Sequence, residues 1–176
     1  MEEDFNFRKG RCKELFTKMK KVYVPIANEF IVYDQEHAIC GTIDALMYNT
    51  KINGYSIIDW KTSKKFDQGN SFTPYMKPPF EHLLSCNTNE YSLQLSLYKY
   101  ILEKHTSIRI SEMLLFQIPN KDNPAPQVFK CMDLSKEIAN FLGDSKFSET
   151  CRSAKAEDLL LKDLTTVPTQ GLYSNQ

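Results

Sequence analysis

The sequence predicts one mixed α/β domain, in which helices cover a mixed sheet. Two segments repeat apolar residues at helical spacing, and three strand-like segments lie between them along the chain. Two further strand-like segments and a short helix follow. The chain has 176 residues, 41% of them hydrophobic, which suits a single core of ordinary size. We expect residues 1–150 to form this domain and residues 151–176 to form a partly flexible C-terminal extension.

The helices and strands are predicted from the period of their apolar residues. The first helix repeats such residues across 15–22, and the second carries Tyr91, Gln94 and Tyr98 along one stripe after a capping sequence at 87–90. The predicted helices span 8–22, 90–104 and 134–143, and the predicted strands span 27–34, 38–49, 55–61, 111–118 and 126–132.

A long connection, 63–89, separates the third strand from the second helix. It contains three prolines and four aromatic residues. Long loops in compact domains tend to be functional or disordered. Its aromatic side chains could pack beneath the loop, or they could stack on unpaired nucleic-acid bases.

Charge and hydropathy indicate which partners and which location to expect for the protein. The 22 basic and 22 acidic residues balance, so net charge does not indicate a nucleic-acid partner. No apolar run approaches the ~20 residues that span a bilayer, and the acidic N-terminus lacks the features of a signal peptide. We therefore expect no membrane partner and an intracellular location, in the cytoplasm or nucleoid of a bacterium or in the host cell of a virus.

The five cysteines are odd in number and far apart in the chain. This spacing argues against a disulfide framework. It also argues against a zinc or iron–sulfur cluster built from close pairs. We expect reduced thiols, most of them structural.

Acidic residues and one lysine fall on three successive predicted strands. Glu29 lies on the first, Asp44 on the second, and Asp59 with Lys61 on the third. Side chains two residues apart on a strand, or opposite each other on paired strands, share a face of the sheet. Oxygen ligands held in this way suit Mg²⁺, which requires octahedral coordination. The pattern therefore predicts a metal-dependent nuclease.

The first hairpin decides whether Glu29 can join Asp44. A two-residue turn within 34–37 would place Glu29 opposite Thr42, on the same face as Asp44 and diagonal to it. At that separation one ion could contact both carboxylates.

The second hairpin decides whether Asp44 and Asp59 meet. Turn propensity favours a type I′ turn at 53–54, which would leave the two aspartates ~13 Å apart. A more open loop would pair Tyr48 with Tyr55 and bring the two aspartates directly opposite each other. The chemistry favours the open loop, whereas turn propensity favours the tight turn.

Each of these groups also has a plain structural interpretation. Asp44 could end a strand, and Glu29 could be an edge charge that discourages aggregation. Asp59 and Lys61 could form an exposed ion pair worth under ~1 kcal/mol. The joint pattern favours a site, because 55–58 has the sequence of a buried strand, in which an uncompensated carboxylate is expensive. Metal coordination would remove that cost.

The first predicted helix is strongly basic. It carries seven basic residues and one acidic residue over 8–21. It could be a solvated amphipathic helix, or it could attract a phosphate backbone towards a carboxylate site that otherwise repels it. The candidate phosphate-binding residues are Lys9, Arg11 and Lys13 of this helix, with Lys64 and Lys65 near the carboxylates.

Three short motifs follow one another in a fixed order, with Glu29 upstream. They are Gly41-Xaa-Xaa-Asp44, Asp59-Xaa-Lys61 and Gln94-Xaa-Xaa-Xaa-Tyr98. Taken alone, Gln94 could be a satisfied core amide. Together the motifs resemble the PD-(D/E)XK nuclease superfamily, in particular its RecB-like exonuclease branch, over about residues 25–120. The resemblance implies a restriction-endonuclease-like core of a helix, three antiparallel strands, a helix and a strand, here followed by a C-terminal strand and helix.

The resemblance also implies a role for each matched residue. The implied metal ligands are Glu29, Asp44, Asp59 and the Trp60 carbonyl. The implied catalytic residues are Asp44, Asp59, Lys61, Gln94 and Tyr98. Lys61 would hold or deprotonate the attacking water, and Gln94 with Tyr98 would steady the scissile strand. The implied cofactor is Mg²⁺ or Mn²⁺, as one or two ions, without an iron–sulfur cluster because grouped cysteines are lacking.

The implied activity is hydrolysis of phosphodiester bonds in DNA. The resemblance suggests an exonuclease that acts on DNA ends or single strands in replication, recombination or repair. Its partners would be DNA, with a second copy of the chain or replication and recombination proteins as further candidates. One alternative is a non-catalytic nucleic-acid-binding or assembly module on the same fold. Another is an RNA endonuclease of the cap-snatching kind, which tends to use a histidine, but the sequence offers no partner pattern for His37.

Overall fold

A computed structural model describes residues 2–62, 66–118, 127–144 and 147. Its elements confirm the predicted order of a helix, three strands, a helix, two strands and a helix. They are α1 (Glu2–Met19), β1 (Tyr23–Asp34), β2 (Ile39–Asn49), β3 (Gly54–Lys61), α2 (Asn87–His105), β4 (Ile110–Gln117), β5 (Val128–Lys130) and α3 (Ser135–Phe141).

The five described strands form one mixed sheet in the order β1-β2-β3-β4-β5. The first three strands are antiparallel, β4 runs parallel to β3, and β5 runs antiparallel to β4. Parallel neighbours need a crossover, and α2 lies in the connection between β3 and β4. Because β3 is paired on both sides, it is buried along most of its length, as its sequence predicts.

The two faces of the sheet are covered by different helices. Successive residues of a strand point to opposite faces, and Ile57 and Ile58 accordingly join separate hydrophobic clusters. Ile57 shares its cluster with Leu95 of α2. Ile58 shares the other with Leu15 and Met19 of α1. The helices α1 and α2 therefore lie on opposite sides of β3.

The first helix and first strand differ from the prediction at their ends. The helix predicted at 8–22 begins at Glu2 and ends at Met19, and β1 begins at Tyr23. Val22 lies in the turn between them: its nitrogen donates a hydrogen bond to the Met19 carbonyl oxygen, and its own carbonyl oxygen accepts from the backbone and the hydroxyl of Thr50. The other elements lie where the sequence predicts them, with small differences at their ends.

The predicted cap of the second helix is wrong. The residue before the helix is Cys86, which makes no side-chain capping hydrogen bond. Asn87 instead accepts a hydrogen bond from the backbone nitrogen of Asp67 at 2.8 Å. The Thr88 hydroxyl donates to the carbonyl oxygen of Asp67, also at 2.8 Å. These bonds attach the start of the long connection to the first turn of α2.

The described part of the long connection, 66–86, is held in place by a backbone bridge within it and by an aromatic contact with the sheet. Tyr75 and Leu84 form an isolated antiparallel bridge. Phe66 packs on Phe129 of β5, with ring centres 5.8 Å apart. Phe72, by contrast, is 94% exposed and Tyr75 is 66% exposed. Packing beneath the loop therefore accounts for some of its aromatic residues and leaves these two in solvent.

Several sequence-based expectations concern residues that the structure does not describe. Lys64, Lys65 and the extension 151–176 lie outside the described ranges, and the domain division at residue 150 stays a proposal. Four cysteines within those ranges are free thiols, namely Cys12, Cys40, Cys86 and Cys131. None of the described helices is both long and apolar enough to cross a membrane.

Candidate active site

The open register of the second hairpin ends with Ala45 opposite Ile58, so that Asp44 and Asp59 are the next residues on β2 and β3. The two strands pair Tyr48 with Tyr55, so the tight type I′ turn is wrong and the open loop is right. The Tyr48 hydroxyl donates a hydrogen bond to the side chain of Asn53. The tyrosine rings also meet edge to face, 5.5 Å apart. These contacts stabilise the longer loop at the cost of the turn that the Asn-Gly pair favours.

The Asp44 carboxylate is held by the backbone of β3. The Trp60 amide donates a hydrogen bond to Asp44 Oδ2 at 2.9 Å. The Trp60 side chain points to the other face, where its ring centre lies 5.4 Å from that of Phe16 and 5.5 Å from that of Phe116. The helix α1 therefore supports from behind the strand segment that orients Asp44.

Asp59 and Lys61 form a largely buried ion pair. Lys61 Nζ lies 2.7 Å from Asp59 Oδ2, and the side chains are 18% and 7% exposed. The exposed ion pair considered from the sequence is therefore wrong. Asp59 Oδ2 is fully buried, and the Lys61 ammonium is its partner among the described residues.

Burial decides the protonation chemistry of Asp59. Loss of water around the Asp59 carboxyl raises its pKa, and the negative charge of Asp44 raises it further. The Lys61 ammonium lowers the pKa, but not enough to cancel the rise. The pKa of Asp59 therefore stays above its ordinary value of 3.8. Cys131 lies close enough to be influenced by both charges of the pair, and burial raises the pKa of its thiol to about 11. The thiol is therefore a neutral part of the wall of the site.

The helix α2 carries the third motif over the same face of the sheet. Gln94 Nε2 donates a hydrogen bond to the Tyr98 hydroxyl at 2.8 Å. A β-carbon added to Gly41 would lie 2.2 Å from Cε1 of the Tyr98 ring. The missing side chain of Gly41 is therefore what allows the Tyr98 ring to lie against β2. This contact joins the first motif to the third.

Tyr91 also takes part in the site, although the sequence pattern indicated only its position on the helical stripe. Lys61 Nζ lies 4.1 Å from the centre of the Tyr91 ring. Tyr91 precedes Gln94 by three residues, so the two side chains share a face of α2. This spacing could have identified Tyr91 as a site residue from the sequence. Its contact with Lys61, however, can be seen only in the folded chain.

Glu29 is not placed as the sequence predicted. The first hairpin pairs Asp34 with Ile39, because the turn includes Ala38 in the left-handed region at φ 53°. The two-residue turn within 34–37 is therefore wrong, and Glu29 falls level with Asp44 instead of diagonal to it. Glu29 is exposed, and it has a left-handed φ of 49°. Its role as a ligand stays a prediction.

The basic residues of α1 lie apart from the carboxylates. The helix packs on the face of the sheet opposite to α2, whereas Lys61 contacts Tyr91 on the α2 side. Lys9 and Lys13 are exposed, and Arg11 is half-buried. Arg11 also forms an ion pair with Glu14 at 3.0 Å. The fold thus leaves this basic surface accessible but does not bring it beside Asp59.

A second group of possible metal ligands lies at the turn between β1 and β2. Ligand atoms of Asp34, Glu36 and His37 lie within 4.8 Å of one another. Lys104 Nζ already lies 2.9 Å from Asp34 and 2.8 Å from Glu36. The ring nitrogens of His37 lie 2.7 Å from Asp34 Oδ2 and 3.0 Å from the Leu142 carbonyl oxygen. The Lys104 ammonium thus already occupies the place that a metal ion would take.

The protonation states agree with a structural role for this second group. The hydrogen bond to Asp34 raises the pKa of His37. Burial opposes ionisation of Asp34, but hydrogen bonds from Lys104 and His37 outweigh it and lower the pKa of that carboxyl. His37 therefore has the partners that the sequence did not reveal. They connect the first hairpin to α2 and to the end of α3.

Comparison of the donor atoms favours the first group as the metal site. Asp44 and Asp59 offer carboxylate oxygens from adjacent strands, and among the described residues a cation, the Lys61 ammonium at 2.7 Å, lies beside Asp59 Oδ2 alone. A hard divalent cation such as Mg²⁺ prefers oxygen ligands, and the remaining carboxylate oxygens of this pair suit it. The residues therefore fit the metal that the sequence resemblance implies.

The mixed sheet, its crossover helix and the paired aspartates with a lysine define the class of metal-dependent nucleases with a restriction-endonuclease-like core. The family model of the PD-(D/E)XK nuclease superfamily matches residues 7–169. The chain therefore belongs to the PD-(D/E)XK nuclease superfamily, whose members are generally nucleases that use divalent metals. A search of curated proteins gave no match.

Proposed function

We propose that this protein is a Mg²⁺- or Mn²⁺-dependent deoxyribonuclease of the RecB-like branch. In this proposal it is an exonuclease that acts on DNA ends or single strands during replication, recombination or repair. The observation that carries the proposal is the buried pair of Asp59 and Lys61 beside Asp44, with 2.7 Å between the ammonium and the carboxylate. A non-catalytic module on this fold would have no need to keep these charges together in a position where burial disfavours them.

Each motif residue has a separate task in the proposed reaction. Asp44, Asp59 and the Trp60 carbonyl would hold the metal, with Glu29 as a further ligand at the exposed edge. A bound divalent ion lowers the pKa of water and neutralises phosphate charge. Lys61 supplies a positive charge next to Asp59, where it can orient the attacking oxygen towards phosphorus. Gln94 and Tyr98, fixed to each other by a hydrogen bond, would bind the scissile strand.

The exposed aromatic residues of the long connection support a single-stranded substrate. Asp67 is bonded to the start of α2, one turn before Tyr91. Phe72 follows Asp67 by five residues, so the two lie within about 18 Å of each other. Phe72 and Tyr75 are both largely exposed, and an aromatic ring that stacks on an unpaired base contributes roughly 1–3 kcal/mol to binding. Unpaired bases that extend from a phosphate in the site could reach the Phe72 ring.

A comparison of labelled substrates tests the proposed substrate class. The purified full chain is incubated with Mg²⁺ and with linear single-stranded DNA, linear duplex DNA, circular single-stranded DNA or single-stranded RNA. We expect linear single-stranded DNA to be shortened progressively from a labelled end and the circle to survive. Cutting of the circle at the same rate would contradict the exonuclease proposal, and cutting of RNA alone would contradict the DNA proposal.

The basic surface of α1 can be tested through the salt dependence of binding. If Lys9, Arg11 and Lys13 contact phosphates, their joint replacement by alanine should weaken binding of every DNA sequence. It should also flatten the salt dependence, by up to about one released counterion per lost contact. The single-turnover rate at saturating DNA should stay near the parental value, because these groups would bind ground and transition states equally.

A charge-conserving variant is the control for this experiment. Exchanging the three residues for the other basic type (Lys9→Arg, Arg11→Lys and Lys13→Arg) should keep the parental salt slope. An unchanged salt slope in the alanine variant would mean that α1 has only a structural role. Substrate affinity would then reside in the long connection and in Lys64 and Lys65.

A further inference from the structure

We infer that Tyr91 positions the Lys61 ammonium for the proposed reaction. The inference deepens the proposed function, on which it rests, by assigning a further residue to the same site. Lys61 Nζ lies between two partners, with Asp59 Oδ2 at 2.7 Å and the centre of the Tyr91 ring at 4.1 Å. One partner belongs to the sheet and the other to the covering helix.

A lysine in an active site must be held in position because its side chain is flexible. The ammonium sits on a four-carbon stem and can occupy many rotamers. The face of an aromatic ring attracts a cation, and this attraction grows when water is excluded. With Lys61 only 18% exposed, the ring and the Asp59 carboxylate together restrict where the charge can be. Asp59 alone would leave the ammonium free to move around one carboxylate oxygen.

The position of the Tyr91 ring is fixed by the rest of α2. Tyr91, Gln94 and Tyr98 are spaced so that they share one face of the helix. Tyr98 is seated against β2 where Gly41 leaves room, and its hydroxyl accepts a hydrogen bond from Gln94. These contacts fix the height and rotation of the helix over the sheet. The ring that meets Lys61 therefore belongs to a helix that these contacts hold against the sheet.

Two substitutions separate the aromatic ring from the hydroxyl group. Tyr91→Phe keeps the ring face and should cleave within about twofold of the parent rate. Tyr91→Leu keeps an apolar side chain but loses the attraction for a cation. Its single-turnover rate at saturating DNA should fall roughly threefold to thirtyfold, the factor that corresponds to a cation–π contact, while the Kd for DNA stays unchanged.

The kinetic result can contradict the inference in two ways. A parental rate in Tyr91→Leu would mean that the ring does not position Lys61. An equal loss in Tyr91→Phe would assign the effect to the hydroxyl group. Tyr33→Leu serves as the matched control, because Tyr33 is exposed on β1 and its loss should leave the rate unchanged.

A measurement that needs no cleavage keeps this inference separate from the proposed function. In the NMR spectrum of the full chain, protons at the end of the Lys61 side chain should be shifted upfield by the ring current of Tyr91. The Lys61→Ala spectrum identifies them. The shift should persist in Tyr91→Phe and disappear in Tyr91→Leu. Unchanged Lys61 resonances in Tyr91→Leu would overturn the inference, even if the parent protein cut no substrate and the proposed function failed.

Discussion

Replacing Asp59 or Lys61 with alanine is expected to abolish cleavage while the protein remains folded. Both side chains lie at the proposed reaction centre, where the Lys61 ammonium lies 2.7 Å from a buried oxygen of Asp59. Loss of one preorganised charged group at a reaction centre typically costs 10²-fold to 10³-fold in rate. We therefore expect single-turnover rates at least about 10²-fold below the parent. A Lys61→Ala variant that cut as fast as the parent would contradict the role assigned to this lysine.

Asp59→Asn is the control that separates chemistry from folding. The amide has nearly the shape of the carboxylate but carries no charge, and burial raises the pKa of the acid it replaces. We therefore expect the Tm of the metal-free Asp59→Asn protein to be equal to or above that of the parent, while its cleavage is lost. A sharp fall in Tm together with lost activity would instead indicate a structural role for Asp59.

Gly41→Ala is expected to have the second largest effect, on stability and activity together. The added methyl group would lie 2.2 Å from Cε1 and 2.7 Å from Cζ of Tyr98, a side chain that is only 8% exposed. Either the ring or the strand must move, and overpacking of this kind costs about 1–3 kcal/mol of unfolding free energy. Movement of Tyr98 would also disturb its hydrogen bond with Gln94. Urea denaturation and a cleavage assay measure the two losses.

Two further variants make the Gly41 prediction specific. Gly10→Ala adds the same methyl group in α1, where it would meet nothing within 4 Å. That variant should be more stable than the parent by up to about 1 kcal/mol, because alanine favours a helix more than glycine does. Combining Gly41→Ala with Tyr98→Leu should recover part of the lost stability but none of the activity. Parental stability of Gly41→Ala would show that the close approach of the ring is unimportant.

The sequence predicts the elements of this fold wherever a strong local pattern exists. The run of apolar residues around Asp59 identifies β3 as a buried central strand, and the stripe from Tyr91 to Tyr98 identifies α2. For the second hairpin the sequence left two registers open, and the structure has the open one, which brings Asp44 and Asp59 together. In that hairpin a chemical requirement predicted the pairing better than turn propensity did.

The errors arise where distant contacts outweigh local preference. Asn53 favours a tight turn, but its side chain is bonded to Tyr48. The helix start shifts because Asn87 is engaged by the backbone of Asp67. The first hairpin is longer because Ala38 adopts a left-handed conformation, which its sequence gives no reason to expect.

Some features of the candidate site could not be predicted from the sequence at all. The hydrogen bond from the Trp60 amide to Asp44 depends on the relative position of two strands. The contact of Lys61 with Tyr91 depends on how α2 lies across the sheet. The motifs in the sequence identify which residues carry the chemistry. The contacts that support those residues can be identified only once the fold is known.

The dependence of cleavage on a divalent metal tests the central claim most directly. Linear single-stranded DNA with a labelled end is incubated with the full chain and Mg²⁺ or Mn²⁺, then with excess chelator, and then with the metal restored. Asp44→Asn is assayed in parallel. We predict cleavage that stops in chelator and resumes on restoration of Mg²⁺ or Mn²⁺, with little support from Ca²⁺, whose longer and looser coordination suits the reaction poorly. Full cleavage in the presence of chelator would contradict a metal-dependent site at Asp44 and Asp59.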